Sequence, residues 1–296
     1  MVFRQLQLPP REASSDPRPV ALALRPHSDS WFLLEHAADW AERLGERLDL
    51  VTVVPRPGLP FDVPEHSAVR PAGRRRETRL ARTWLERLMK SIPSRAQGTV
   101  LVLDGDPVTA LGEASSRYSL LVVGRSTRTG LSSLLRPSVS RRLAQRCSVP
   151  VMAVGGRRPR SELVAVLPLT TPPRLEGLRW VRRLFPQARV VPVHLKDGDG
   201  VGGAVVPGRF ELPGAVIRDT GIKTGRVLTP FGAGRVVAGY ASHLDADVVV
   251  APAPERRGLI EWLFGSLTDG LIWGCPCTLL VVPARPAQRW WGAGNP

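Results

Sequence analysis

The chain has 296 residues, enough for two domains of ordinary size, and 43% hydrophobic with 23% charged residues is typical of a folded core. No apolar stretch reaches the roughly 18 residues that span a bilayer, and no signal peptide is recognisable, so we expect a cytoplasmic protein. The net charge of +15 arises from 38 arginines and only 3 lysines in a chain rich in Ala, Pro and Gly. This skew indicates genome composition, and we do not expect nucleic acid as the partner.

The first half of the chain alternates short apolar runs with amphipathic segments. Continuous apolar runs separated by helices are typical of a parallel sheet that is buried on both faces. The predicted strands are Val20–Leu24, Leu50–Val54, Val100–Leu103, Leu120–Val123 and Val151–Val154.

Four helices are predicted between these strands. The first follows Asp29 or Ser30 as N-cap and ends near Gly45. The second follows a proline-rich loop that carries the Arg74–Arg76 run, and its apolar residues lie four apart, at positions 80, 84, 88 and 92. The third opens with Asp106 as N-cap and proline at its first position, and the fourth begins at Ser138.

The second half repeats the first with losses. A shift of 128 positions lays residues 119–154 on 247–282 without a gap, with nine of 36 positions identical. A repeat of this kind indicates two copies of one domain. The second copy lacks a counterpart of the second helix, and we expect a long glycine- and proline-rich loop at 196–214 instead. Its predicted strands are Leu163–Leu167, Val190–Leu195, Arg226–Thr229, Val248–Ala251 and Leu279–Val282.

We therefore expect an N-terminal tail (1–17), a first domain (18–157), a second domain (158–283) and a C-terminal tail (284–296). The three cysteines, Cys147, Cys275 and Cys277, are odd in number and form no CxxC or Cys/His cluster. They indicate neither a disulfide framework nor a zinc site, and we expect small buried side chains in a reducing compartment.

Two tandem domains that each end in strand, loop, Gly-Leu, helix and strand resemble the tandem form of the universal stress protein (UspA-like) family. The resemblance covers about residues 18–283 and is most specific at 119–154, where the loop reads GRSTRTG. It implies an α/β fold of two open five-stranded parallel sheets flanked by helices, Rossmann-like and adenine nucleotide alpha hydrolase-like, with the second copy reduced. Nucleotide-binding members carry G-x2-G-x9-G-[S/T] after strand 4 and an aspartate at the end of strand 1.

The first copy keeps part of that motif. Glycines let backbone N–H groups approach phosphate oxygens, and a helix N-terminus adds positive charge. The motif positions fall on Gly124, Thr127, Pro137 and Ser138, and the strand-1 aspartate position falls on Arg25 or Pro26. The candidate contacts for ATP or AMP in the first domain are Gly124, Arg125, Thr127, Arg128, Gly130 and Ser138, and a solvated basic loop without a ligand is the alternative.

The second copy departs further from the motif. Its positions fall on Pro252, Glu255, Gly265 and Ser266, and strand 1 again ends without an aspartate. Prolines remove N–H donors, and the charge of Glu255 repels a phosphate. Gly265 and Ser266 remain as candidate contacts, but we expect no nucleotide in this copy.

Other chemistry finds no support in the sequence. The five histidines stand at no metal-ligand spacing, and His36 is expected at the surface or boundary of the first helix. Asp104 and Asp106 could suggest a metal pair, although a strand-to-helix turn uses aspartate routinely. We expect no enzyme, no metal and no cofactor that the sequence identifies.

Three functions remain open. The first is a non-catalytic stress-response regulator or scaffold for unidentified proteins, in which the resemblance implies that the last strands of the two domains, VPVMAV and CTLLVV, pair within one chain. A further homodimer is left open. The second is an anion or adenine-nucleotide sensor that works through the first domain. The third is a basic surface for nucleic acid or anionic lipid.

Overall fold

The protein is described by a computed structural model for residues 18–26, 31–55, 71–124, 139–156, 158–160, 162–169, 176–194, 211–212, 215–216, 230–253 and 267–283. These residues fall into two compact units, one within 16–154 and one within 155–284, called here the first and second unit. Each unit is an α/β unit with a parallel sheet. The predicted domain boundary at 157/158 stays a prediction.

The first unit holds a five-stranded parallel sheet in the order β3-β2-β1-β4-β5. All five strands were predicted, and β2, β3 and β4 are longer than expected. The strands are β1 (Val20–Leu24), β2 (Leu48–Val54), β3 (Gln97–Asp104), β4 (Leu120–Gly124) and β5 (Val151–Val154).

Helices connect the strands of the first unit: α1 (Trp31–Leu44), α2 (Pro71–Met89), α3 (Pro107–Ala114) and α4 (Val139–Arg146). Gly45, with φ of 65°, ends α1 as predicted, since a left-handed residue after a helix favours glycine. Asp106 caps α3 as predicted: its Oδ2 accepts a hydrogen bond of 2.8 Å from the Thr109 N–H, and Pro107 takes the first helical position. The predicted caps Asp29, Ser30 and Ser138 lie outside the described residues.

Helix α2 corrects two predictions. It begins at Pro71, so Arg74–Arg76 lie on a helix and not in a loop, because arginine is a good helix former. Its buried face is formed by Ala81, Leu85, Leu88 and Met89, whereas Leu80 of the predicted face is 48% exposed. A row of residues exactly four apart drifts around a helix, so this face needs spacings of both three and four.

The amino ends of β2 and β3 hold a buried acid. Asp49 Oδ1 accepts a hydrogen bond of 2.7 Å from the Thr99 N–H, and Gly98 leaves room for that carboxylate. Burial raises the pKa of Tyr118 to about 12, and the charge of Asp49 acts in the same direction. The phenol is therefore neutral at physiological pH, and both groups lie at the amino edge of the sheet, opposite the predicted binding region.

The second unit holds four described parallel strands in the order β11-β10-β6-β7. The strand predicted at 226–229 lies outside the described residues, as does most of the predicted loop. Residues 211–212 and 215–216 form a short antiparallel pair (β8, Glu211–Leu212; β9, Ala215–Val216). The sheet strands are β6 (Val164–Leu169), β7 (Arg189–His194), β10 (Val248–Pro252) and β11 (Thr278–Val282).

Three helices are described in this unit: α5 (Glu176–Leu184), α6 (Pro230–His243) and α7 (Leu267–Gly274). Trp180 of α5 is fully buried, as is Trp40 of α1 in the first unit. All three cysteines are buried, as the sequence predicts. Within the described residues, the helices are all too short or too polar to cross a membrane.

Candidate functional site

The carboxyl edge of the first sheet is the predicted binding region. Since all strands run parallel, the last residues of β1 and β4 lie side by side at this edge. The chain leaves β1 toward β2 on one side and reaches β4 on the other, so a topological switch point lies between them. Open α/β sheets bind ligands in the crevice that such a point creates.

Gly124 ends β4 at this switch point, one residue beyond the predicted end of the strand. A Cβ at Gly124 would lie 2.7 Å from Leu33 Cδ1, so α1 covers one side of this backbone with an apolar side chain. The other first-domain candidates, Arg125, Thr127, Arg128, Gly130 and Ser138, lie outside the described residues. Of the predicted set, only Gly124 has a described position.

The end of β1 carries no carboxylate in the described residues. Leu24 is the last strand residue, and exposed Arg25 follows it, in agreement with the motif alignment. The carbonyl oxygen of Leu24 accepts a hydrogen bond of 2.8 Å from the buried Thr52 hydroxyl of β2. The sequence analysis missed Thr52, and the only signal was a threonine within the apolar run LVTVV.

The two aspartates at the carboxyl end of β3, one its last residue and one two positions later, are engaged in structural bonds. Asp104 forms an ion pair with Arg74 of α2, and its carboxylate is 45% exposed. Asp106 caps α3, and the Gly105 N–H donates to the carbonyl of Val54 over 3.1 Å. Among the residues that the structure describes, no group of three His, Cys, Asp or Glu side chains could hold a metal ion.

The corresponding edge of the second unit is built differently. Pro252 ends β10 where Gly124 ends β4, and it has no N–H to offer. Its carbonyl oxygen accepts a hydrogen bond of 2.8 Å from the hydroxyl of Thr268, a buried residue of α7. The candidates Gly265 and Ser266 lie outside the described residues.

The prediction that His36 lies at the surface or boundary of α1 is wrong. The residue is fully buried on α1, in one helical row with Trp40 and Leu44, and its ring centroid lies 4.3 Å from that of Phe32. Helical periodicity places position 36 on the buried face of α1. The position on the helix therefore determines the burial of this side chain, although imidazole is polar. His36 is part of the packing of α1.

Comparison with known proteins decides the family. The universal stress protein family model matches residues 18–155 and 218–283, together more than half of the chain. The chain belongs to the universal stress protein family. A search among curated proteins found no significant match.

Solved universal stress proteins share the fold. One from Archaeoglobus fulgidus is 16% identical, with a TM-score of 0.62 over 89% of this chain and 96% of the other. A putative one from Pseudomonas aeruginosa is 14% identical, with a TM-score of 0.53 over 91% and 94%. Another universal stress protein, in complex with cAMP, is 22% identical and covers 45% of this chain and 94% of its own, with a TM-score of 0.31. The two whole-chain likenesses establish the tandem architecture.

Proposed function

We propose that this universal stress protein is a non-catalytic cytoplasmic regulator or scaffold whose partners are other proteins. The observation that carries this proposal is that the described carboxylates at the carboxyl edge of the first sheet form structural contacts. Asp104 binds Arg74 and Asp106 caps α3, so each of these carboxylates has a structural partner. General acid–base or metal chemistry needs such groups aimed at a substrate.

The surroundings of Gly124 support the same proposal. A phosphate that binds to a strand end needs the backbone N–H groups to be approachable. Leu33 covers Gly124 from one side, and the position at which nucleotide-binding members of the family have an aspartate falls on exposed Arg25 or on Pro26. Neither a guanidinium nor a proline ring at that position offers a ribose acceptor or a magnesium ligand.

A nucleotide or anion sensor is the second candidate, and the switch point between β1 and β4 favours it. Gly124 ends β4, exposed Arg25 follows the end of the neighbouring parallel strand β1, and both would present N–H donors to an anion. Arg125, Thr127, Arg128, Gly130 and Ser138 remain the proposed further contacts for ATP or AMP.

A thermal-shift panel separates the two candidates. A ligand at about 100 times its Kd adds roughly 2.7 kcal/mol to stability, which moves the melting temperature by several degrees. We expect no such shift with millimolar ATP, AMP, cAMP or inorganic phosphate, and no nucleotide in the mass spectrum of the purified protein. A shift that disappears in the Arg128→Ala/Ser138→Ala variant but persists in the Arg87→Ala control would establish the sensor instead.

The exposed face of α2 favours a third candidate, a basic surface for nucleic acid. Arg75, Arg76, Arg79, Arg82 and Arg87 are all exposed on this helix, with only Glu77 and Glu86 as acids among its residues. Since we attribute the high arginine content to the base composition of the genome, we expect only nonspecific binding of a duplex DNA probe. Its Kd should be about 10⁻⁴ to 10⁻⁶ M at physiological salt. A nanomolar Kd that weakens at least tenfold in Arg79→Glu/Arg82→Glu, with Arg142→Glu as control, would support the nucleic-acid function.

A further inference from the structure

Two thiols of the second unit are in contact. Cys275 follows the end of α7, and Cys277 immediately precedes β11, with Pro276 between them. Their sulfur atoms lie 3.6 Å apart, and both residues are buried, with 3% and 4% of their surface exposed. The sequence analysis treated the cysteines as separate apolar residues, although the C-P-C spacing was visible.

The internal repeat shows that packing does not require the second thiol. The shift of 128 positions places Cys147 on Cys275 and Val149 on Cys277. Val149 is 1% exposed in the first unit, so a valine fills the corresponding buried place there. Compared with valine, Cys277 gives the second unit a sulfur atom in contact with that of Cys275.

We propose that Cys275 and Cys277 form a reversible dithiol–disulfide site that a low-molecular-weight disulfide oxidises. The thiolate of one cysteine attacks a sulfur of the small disulfide, a mixed disulfide forms, and one small thiol leaves. The second cysteine, as thiolate, then attacks the protein sulfur of the mixed disulfide and displaces the other small thiol. The protein dithiol loses two electrons and two protons, and the small disulfide gains them.

The local geometry suits this reaction. A disulfide bond is about 2.05 Å long, so the two sulfur atoms must approach by roughly 1.5 Å, a distance that side-chain rotation can cover. Gly274 and Pro276, the neighbours of Cys275, are both exposed, so the connection between α7 and β11 runs at the surface. Local opening of this connection would admit the oxidant to the inward-facing sulfur atoms.

The site is distinct from a structural disulfide. A bond between residues two positions apart closes a very short loop, so it removes little entropy from the unfolded chain. Its effect would fall on the start of β11, where the Thr278 N–H donates to the carbonyl of Asp247 over 3.3 Å. Formation of the bond therefore constrains the chain at the start of β11, the strand that pairs with β10 in the second unit.

Counting accessible thiols after denaturation tests the proposal. The full-length protein is incubated with oxidised glutathione, denatured, alkylated and weighed. We expect three alkyl groups before oxidation and one afterwards, the latter on Cys147. Without its alkyl groups, the oxidised polypeptide should be two mass units lighter, and dithiothreitol should restore all three thiols. Cys147→Ala should react at the rate of the wild type.

The matched control is Cys277→Val, which reproduces the residue of the first unit and should fold. In this variant, we expect Cys147 and Cys275 to be lost to oxidation at least tenfold more slowly than the Cys275–Cys277 pair is lost in the wild type. Three alkyl groups after prolonged oxidation, a stable glutathione adduct on either cysteine, or equal thiol loss in Cys277→Val would each overturn the proposal.

Discussion

Gly156→Ala is expected to destabilise the protein by about 2–4 kcal/mol, a fall of roughly 10 °C in melting temperature. Gly156 has φ of 73°, in the left-handed region where a Cβ costs about 1–2 kcal/mol. The new Cβ would also press into the carbonyl oxygen of Pro276 and lie 3.0 Å from Cys277 Cα. Both contacts are backbone atoms, which cannot rotate away.

The surroundings of Gly156 are fixed from the other side as well. The carbonyl oxygen of Gly155 accepts a hydrogen bond of 3.3 Å from the buried Thr278 hydroxyl at the start of β11. Relief of the clash by movement of residues 155–156 would therefore weaken that bond. The two effects act together, so strain at Gly156 is transmitted to the strand.

Gly239→Ala is the matched control. Gly239 lies within α6, has no atom within 4 Å of an added Cβ, and is exposed. Alanine in a helix interior is favoured over glycine by about 0.5–1 kcal/mol, so this variant should be slightly more stable than the wild type. Urea unfolding followed by circular dichroism measures both. Equal stability of Gly156→Ala and the wild type would refute the strain argument.

Local signals explain what the sequence predicted correctly. Strands β1 and β5 match the predicted bounds because continuous apolar runs flanked by turn residues mark buried parallel strands. The cap at Asp106 follows from Gly-Asp-Pro alone, since the capping bond spans three residues. Such features depend only on residues that are close together in the sequence, so they can be predicted from the sequence alone.

Contacts between distant residues explain what it did not predict. Leu33 against Gly124 joins residues 91 positions apart, and Thr268 of helix α7 donates to the carbonyl of Pro252 at the end of strand β10. The start of α2 was missed because its arginine-rich first turns carry no apolar periodicity, although they form a regular helix. The candidate site was therefore predictable as a strand-end glycine, but its apolar cover was not.

Asp247→Asn is expected to destabilise the protein by about 3 kcal/mol. The Asp247 side chain is fully buried, and each of its two carboxylate oxygens accepts at least one hydrogen bond. Oδ2 accepts from the Val164 N–H at 2.9 Å and from Arg160 Nη2 at 3.3 Å, while Oδ1 accepts from the Arg160 N–H at 3.2 Å. An amide NH₂ would face a donor in either orientation, and the charge opposite the guanidinium would be lost.

Asp245→Asn is the matched control. Asp245 also pairs with Arg160, at 3.1 Å, but its side chain is 61% exposed. Exposed pairs contribute up to about 1 kcal/mol, and asparagine tolerates the positive φ of 53° at this position. Chemical denaturation of both variants should therefore separate them by at least 2 kcal/mol. Similar losses for the two variants would contradict the assigned role of burial.

Asp247→Asn also tests the expectation, drawn from the family resemblance, that the last strands of the two domains pair. Asp247 lies in the second unit, next to the start of β10. If the strands VPVMAV and CTLLVV pair, destabilisation of the second unit should lower the protection of the first unit too, because cooperatively folded units open together. We expect native-state hydrogen exchange of Asp247→Asn to show faster exchange in β1 and β4 as well as in β6 and β10. Faster exchange in the second unit alone would show that the halves unfold independently and would overturn the pairing.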